Sequence, residues 1–206
     1  MTTKNRPIVL IPGFAGGNTS LAPLRNELRD RHFEATCWKN SPFLYRRPLA
    51  TYGAQLAKDM LSQRETSDEP LTLLGWSQGG LVAVSAMRHL AEAYRNPHEI
   101  VRKVIAYGTP FNGTWAAQPA ILFDHLLRLH ARELRRGHAT LKALVGFLHH
   151  PRDWHFHAIH GSRDTLVSTK QPGLKPEWCH TGSFDHLAPI YDPTLFELIH
   201  RLVLAP

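Results

Sequence analysis

Leu71-Thr-Leu-Leu-Gly-Trp-Ser-Gln-Gly-Gly-Leu-Val-Ala-Val-Ser-Ala-Met87 reads as a strand, a sharp turn and a helix. Leu71 to Leu74 is an apolar run short enough for a buried parallel strand. From Gly79 onward the apolar residues recur at helical spacing for several turns. Between the two lies Gly75-Trp-Ser-Gln-Gly79, which fits G-x-S-x-G with Ser77 at the turn. A serine that attacks a carbonyl must stand clear of the backbone on a tight, strained turn where neighbouring side chains would clash. Gly75 and Gly79 remove those side chains, and Gly80 lets the helix pack close to the strand. The helix start then supplies free backbone N–H groups and a positive dipole end beside the reacting oxygen.

Upstream, Ile8 to Ile11 is a β-branched strand that runs into Pro12-Gly-Phe-Ala-Gly-Gly17. This glycine-rich loop lacks both G-x-G-x-x-G and a Gly-Lys-Ser/Thr ending, so a phosphate cradle fits poorly. It is better suited to presenting a backbone N–H, that of Phe14, to an oxyanion above the sheet. Thr19 or Ser20 is expected to cap a helix through Leu21, Leu24 and Leu28 to about Arg31. Phe33 to Trp38 is a second strand, and residues 40–48 are a turn-rich connection. Leu49, Tyr52, Leu56 and Met60 then keep helical register over 49–64, and a polar loop delivers the chain to Leu71. Strand and helix alternate strictly, which predicts the α/β class with a parallel sheet.

Downstream, Val101 to Tyr107 is the next strand, and its exit reads Gly108-Thr-Pro-Phe-Asn-Gly-Thr-Trp115. Residues 116–150 interrupt the rhythm. Pro119 opens a helix through Ile121, Leu122, Leu126, Leu129 and Leu134, and a second helix covers Leu141 to Leu148. The pair forms either a cap or lid over the site or a plain cover on one sheet face. His155-Phe-His-Ala-Ile-His160 is a strand, and Gly161-Ser-Arg-Asp164 brings a carboxylate to its end. His155 and His157 share a face by period two, but no companion carboxylate lies at ligand spacing, so no metal is expected there. Glu177 to Thr181 is the last strand. The loop 182–186 ends at His186, and Asp192-Pro193 starts a final helix to about Leu204.

The 206 residues, 43% hydrophobic, suffice for a single domain over 1–206, with 116–150 as its candidate insertion. The apolar run that ends at Pro12 is too short for a signal peptide or membrane span, which suggests a cytoplasmic protein. The net charge of +7 is spread along the chain. Its one dense cluster, Arg128, Arg132, Arg135 and Arg136, reads as a solvated helix face, so no nucleic-acid partner is expected. A transient contact of that face with an anionic lipid surface is compatible with it. Cys37 and Cys179 sit in no C-x-x-C pair or zinc spacing, and both fall on predicted strands as buried free thiols, which suits a reducing compartment.

The Ile-Pro-Gly-Phe strand-loop, the Gly-Trp-Ser-Gln-Gly-Gly turn and the Gly-Thr-Pro-Phe-Asn-Gly-Thr exit together resemble the α/β-hydrolase superfamily, most of all its lipases and esterases. The first half is similar to fungal lipases of the Candida B type and their bacterial relatives, and Ser-Gln-Gly-Gly also occurs in acyl-protein thioesterases. The resemblance spans about residues 8 to 204. It implies a small α/β-hydrolase fold, a mostly parallel sheet of about six strands with helices on both faces. In that arrangement the first strand lies inside the sheet, with the Cys37 and Cys179 strands at opposite edges.

The candidate functional residues Phe14, Ser77, Phe111, Asp164 and His186 all follow the C-terminal end of a predicted strand, where open parallel sheets bind ligands. Ser77 needs a base, and His186 on the loop after the last strand can swing over it. His180, fixed on a strand, is the rival. The resemblance implies Asp164 as the acid, over Asp185, whose place beside His186 in sequence suits it badly. It also implies the backbone N–H groups of Phe14 and Gln78 as the oxyanion hole. Trp76, Phe111, Trp115 and Leu187, with the Phe14 side chain, are expected to wall an apolar acyl site. The metal carried beside the catalytic histidine by some bacterial lipases needs an aspartate soon after it. Here Leu187-Ala188-Pro189 follows, so neither metal nor cofactor is expected. The expected reaction is hydrolysis of a small-molecule or lipid carboxylic ester through an acyl-enzyme on Ser77. Thioester hydrolysis and acyl transfer share that half-reaction, and a non-catalytic binding protein on the same scaffold is the reading from another class.

Overall fold

The computed structural model describes residues 7–42, 44–64, 69–117, 131–150 and 154–205. Six parallel strands form one sheet in the order β2-β1-β3-β4-β5-β6. They are β1 (Pro7–Ile11), β2 (Glu34–Cys37), β3 (Leu71–Trp76), β4 (Val101–Tyr107), β5 (His155–Gly161) and β6 (Cys179–Gly182). Among the described residues the helices are α1 (Ala22–Asp30), α2 (Leu49–Arg64), α3 (Gln78–Ala93), α4 (Ala139–Leu148), the single turn α5 (Ala188–Tyr191) and α6 (Pro193–Leu204). The first strand is internal and the Cys37 and Cys179 strands are the two edges, as the resemblance implies. Both thiols are free and half-buried rather than fully buried, because an edge strand is covered less completely than a central one.

Side-chain parity along the strands sorts the core into two layers. Val9, Ile11, Leu73, Val104, Ala106, Phe156 and Ala158 pack on one face under α2, α3 and α4. Ile8, Leu10, Leu74, Trp76, Ile105, Tyr107 and Ile159 pack on the other under α1 and α6. Every residue of β3 is buried, which explains why its sequence is apolar on both faces, with Thr72 as its one hydroxyl, rather than alternating.

Three local expectations change. Neither Thr19 nor Ser20 caps α1: Leu21 holds that position, and the Ser20 hydroxyl donates to the Gly17 carbonyl in the preceding turn. The last strand starts at Cys179 rather than Glu177, because Pro176–Trp178 coil into a 3₁₀ turn first. Of the interrupting segment, α4 is part of the core, with Leu141, Leu144, Phe147 and Leu148 buried against the α3 layer. Ile121, Leu122, Leu126, Leu129 and Arg128 lie outside the described residues.

The final helix is closed at both ends by side chains. Asp192 accepts the N–H groups of Thr194 and Leu195 at its start. At its end Lys103, wholly buried on the central strand β4, donates its ammonium to the carbonyls of Leu202 and Ala205, each at 2.6 Å. A buried lysine is tolerated here because it meets the negative end of the helix dipole and carbonyls without intrahelical partners.

Candidate active site

β3 ends at Trp76 and α3 begins at Gln78, so the whole change of direction falls on Ser77, with φ 54° and ψ −124°. That conformation is costly for a residue with a side chain, on the order of 1–3 kcal/mol. It is held by packing. A Cβ on Gly75 would meet the Gly80 Cα at 2.4 Å, and one on Gly79 would meet the Ile11 carbonyl oxygen at 2.1 Å. Strand, turn and helix can close this tightly because both positions lack one. The Ser77 N–H donates to the Tyr107 carbonyl at 2.8 Å, tying the turn to the end of β4.

Three chain segments meet over this turn. His186, on the loop after β6, places Nε2 3.0 Å from Ser77 Oγ and Nδ1 2.8 Å from Asp164 Oδ2. The Asp164 side chain is 1% exposed. Its Oδ1 accepts the N–H groups of Leu166 and Val167, both at 2.9 Å, which leaves Oδ2 for the imidazole. An ionised carboxylate only accepts, so Nδ1 carries the proton and Nε2 presents its lone pair to the serine hydroxyl. Gly108, at φ 55°, bends the chain out of β4 beneath this pair. A Cβ there would lie 3.1 Å from Asp164 Oδ2 and 3.3 Å from His186 Nδ1.

The rival residues are engaged elsewhere. His180 Nε2 lies 3.1 Å from His157 Nδ1 on the sheet face. Asp185 accepts the Leu187 N–H and the Tyr191 hydroxyl, and that hydroxyl holds its carboxyl below the usual carboxylate range. His160 projects to the opposite face from His155 and His157 by strand parity. Among the described residues no group of three or more His, Cys, Asp or Glu is placed to hold a metal.

Gln78 follows Ser77 in the chain, and Gly13, the neighbour of Phe14, packs against it. A Cβ on Gly13 would touch the Ser77 Cβ at 2.8 Å, so the loop before Phe14 lies directly on the serine. Gln78 opens α3, where a backbone N–H has no intrahelical partner. Of the expected apolar wall, Phe14, Trp115 and Leu187 are 41%, 55% and 52% exposed. Trp76 and Phe111 instead belong to the core. Phe111 packs edge-on to Phe156 beneath the sheet end, with ring centroids 5.6 Å apart. Trp76 is buried and donates its indole N–H to the His186 carbonyl at 2.8 Å.

Trp76 has a counterpart that the sequence does not announce. The buried Tyr107, at the end of β4, donates its hydroxyl to the Asp185 carbonyl. Two strand-end aromatics thus hold consecutive carbonyls of the loop that carries His186. Strand parity puts both rings on the α1/α6 face, but their acceptors come from a loop about 80 to 110 residues away in sequence, which periodicity does not reach. His160, beside Asp164, is equally silent in sequence. It is 2% exposed, neither ring nitrogen has a partner among the described residues, and burial pushes its pKa down to about 4 against a smaller upward pull from Asp164.

No protein-family model and no curated protein matches the chain by sequence. Solved structures do. The mature form of the Bacillus licheniformis lipase BlEst2 superposes with a TM-score of 0.77 at 18% identity, over 98% of this chain and 93% of that one. The fold is that of the α/β-hydrolases. Aspergillus fumigatus lipase B matches this chain with a TM-score of 0.67 at 14% identity, over 96% of the chain and 52% of its own. YbtT, a type II thioesterase from the yersiniabactin NRPS/PKS pathway, matches with a TM-score of 0.60 at 18% identity, over 98% and 93%. In an open parallel sheet, the end of the strands where Ser77, Asp164 and His186 meet is the expected place for a ligand.

Proposed function

We propose that this α/β-hydrolase is a serine esterase that cleaves carboxylic esters of small molecules or lipids through an acyl-enzyme on Ser77. The observation that carries the reading is the continuous hydrogen-bond chain from Ser77 Oγ through His186 to Asp164. His186 Nε2 takes the hydroxyl proton as Ser77 Oγ attacks the ester carbonyl, and Asp164 stabilises the imidazolium that forms. The carbonyl oxygen, now an oxyanion, lies between the N–H groups of Phe14 and Gln78, each worth about 3 kcal/mol of barrier. His186 returns its proton to the leaving alcohol, and a water then repeats the sequence to release the acid. The exposed side chains of Phe14, Trp115 and Leu187 favour an apolar acyl group.

Thioester hydrolysis is the second reading. The likeness to a type II thioesterase supports it, and the acyl-enzyme half-reaction is common to both. Among the described residues no helix is long and apolar enough to cross a membrane, and the two unpaired thiols suit the reducing cytoplasm, where we place the reaction. Rates on matched p-nitrophenyl esters and acyl thioesters of increasing chain length test the assignment. An ester preference at every length supports an esterase, and a thioester preference of tenfold or more transfers the assignment to the second reading. A protein inert to both is a binding protein on this scaffold.

A further inference from the structure

The loop before Phe14 is also touched by a part of the chain that carries no candidate site residue. Tyr45 lies in the turn-rich connection between β2 and α2, and is 1% exposed. Its hydroxyl donates to the carbonyl of Pro12 at 2.7 Å, across 33 residues. The ring is fixed edge-on against Tyr52, with centroids 5.0 Å apart, and the Tyr52 hydroxyl accepts the backbone N–H of Arg46. Burial pushes the Tyr45 phenol far up, so it stays protonated and keeps donating across the whole working pH range.

The consequence follows from peptide planarity. The Pro12 carbonyl belongs to the peptide before Gly13, and the Gly13 carbonyl and Phe14 N–H belong to the peptide after it. The second plane is held by the Gly16 N–H, which donates to the Gly13 carbonyl at 3.1 Å. In a trans peptide the N–H points opposite to the C=O, so this bond directs the Phe14 N–H to the other side. The first plane is held by Tyr45. Between the planes are the two soft dihedrals of a glycine, the least restrained residue type. With both planes fixed, those dihedrals are fixed too. Among the described residues, neither the Phe14 nor the Gln78 N–H is spent on a loop or turn hydrogen bond with another backbone group.

We propose that Tyr45 is a positioning residue for the oxyanion hole, acting on the Phe14 N–H through the Pro12 carbonyl. This rests on the assignment of Phe14 as an oxyanion donor. Tyr45→Phe removes one oxygen atom and leaves the ring pair with Tyr52. A donor that is misaimed rather than deleted costs less than a lost donor, so kcat is expected to fall about 10- to 100-fold with KM little changed. An alkylboronic acid forms a tetrahedral adduct on the serine with an oxygen where the oxyanion sits, and its Ki should rise by the same factor. Tyr52→Phe loosens the same aromatic pair while sparing the Tyr45 hydroxyl, so it should lower Tm and leave kcat and the boronate Ki within twofold.

A Tyr45→Phe enzyme with lowered Tm but unchanged kcat and Ki would make the bond a structural tie and overturn the proposal. Wild-type protein that neither turns over esters nor binds the boronate overturns the functional reading and this inference with it, whereas an active wild type with an indifferent variant overturns the inference alone. Should Tyr45→Phe not fold, wild-type protein labelled with ¹⁵N-phenylalanine supplies the measurement. The Phe14 amide resonance must shift on boronate binding while the Tyr45 hydroxyl proton remains protected from exchange, and failure of either rejects the proposal.

Discussion

His160 gives a stability prediction with a calculable size. Its imidazole is 2% exposed on β5, and burial lowers its pKa from the ordinary 6.5 to about 4. In the unfolded chain the ring regains the ordinary value, so between those two pH values the unfolded state binds the proton and the folded state does not. Stability is therefore undiminished above pH 6.5 and is lost as the pH falls through the window toward 4. The full shift is worth about 3 kcal/mol, of which about 1.4 kcal/mol is lost by pH 5.5 and about 2.5 kcal/mol by pH 4.5. Urea titrations of wild type and His160→Phe at pH 7.5, 5.5 and 4.5 isolate the contribution, because the other carboxylates and histidines titrate in both proteins. The difference in unfolding free energy should move toward the variant by those amounts. Curves that stay parallel from pH 7.5 to 4.5 would show that His160 is protonated as readily in the folded protein as in the unfolded chain.

Asp164→Asn should lower kcat by about 10⁴-fold by leaving His186 in the wrong tautomer, whereas Asp185→Asn should cost tenfold or less; the reverse order in an ester assay rejects Asp164 as the acid. Trp76→Phe removes the donor to the His186 carbonyl and should reduce kcat about tenfold with KM within twofold, and an unchanged kcat means the loop is held without it. Lys103→Met strips the carbonyls at the end of α6 of their buried donor and should cost about 2 kcal/mol in urea with kcat per folded molecule unaltered. A loss near zero would show that those carbonyls are solvated instead.

The fold was legible because its signals are local. A mostly apolar β3 after a polar connection and helical spacing from Gly79 already define the central β-turn-α unit, and strict alternation around it dictates a parallel sheet. Ser77 was legible for the same reason: the glycines that permit the turn lie within three residues of it. His186 and Asp164 required placing loop residues at strand ends, and the geometry that joins them was within reach of that rule. What escaped were side chains whose partners are remote in sequence. Trp76 and Phe111 look like pocket aromatics beside the nucleophile, but strand parity and loop closure turn both into the core. Arg102 and Lys103 interrupt the apolar pattern of β4, and nothing near Lys103 in sequence indicates that a helix end a hundred residues later supplies its acceptors. Tyr45 is hidden likewise, since its acceptor is the carbonyl of a proline in the first loop.

The most direct test of Ser77 as the nucleophile is stoichiometric labelling with a fluorophosphonate, read by intact mass and peptide mapping. One adduct per chain is expected on the peptide containing Ser77, with loss of ester turnover in proportion to labelling. Ser77→Ala should fold with the wild-type Tm within a few degrees, take up no label and show background turnover. An adduct on another residue, or turnover that survives either full labelling or Ser77→Ala, would contradict the account.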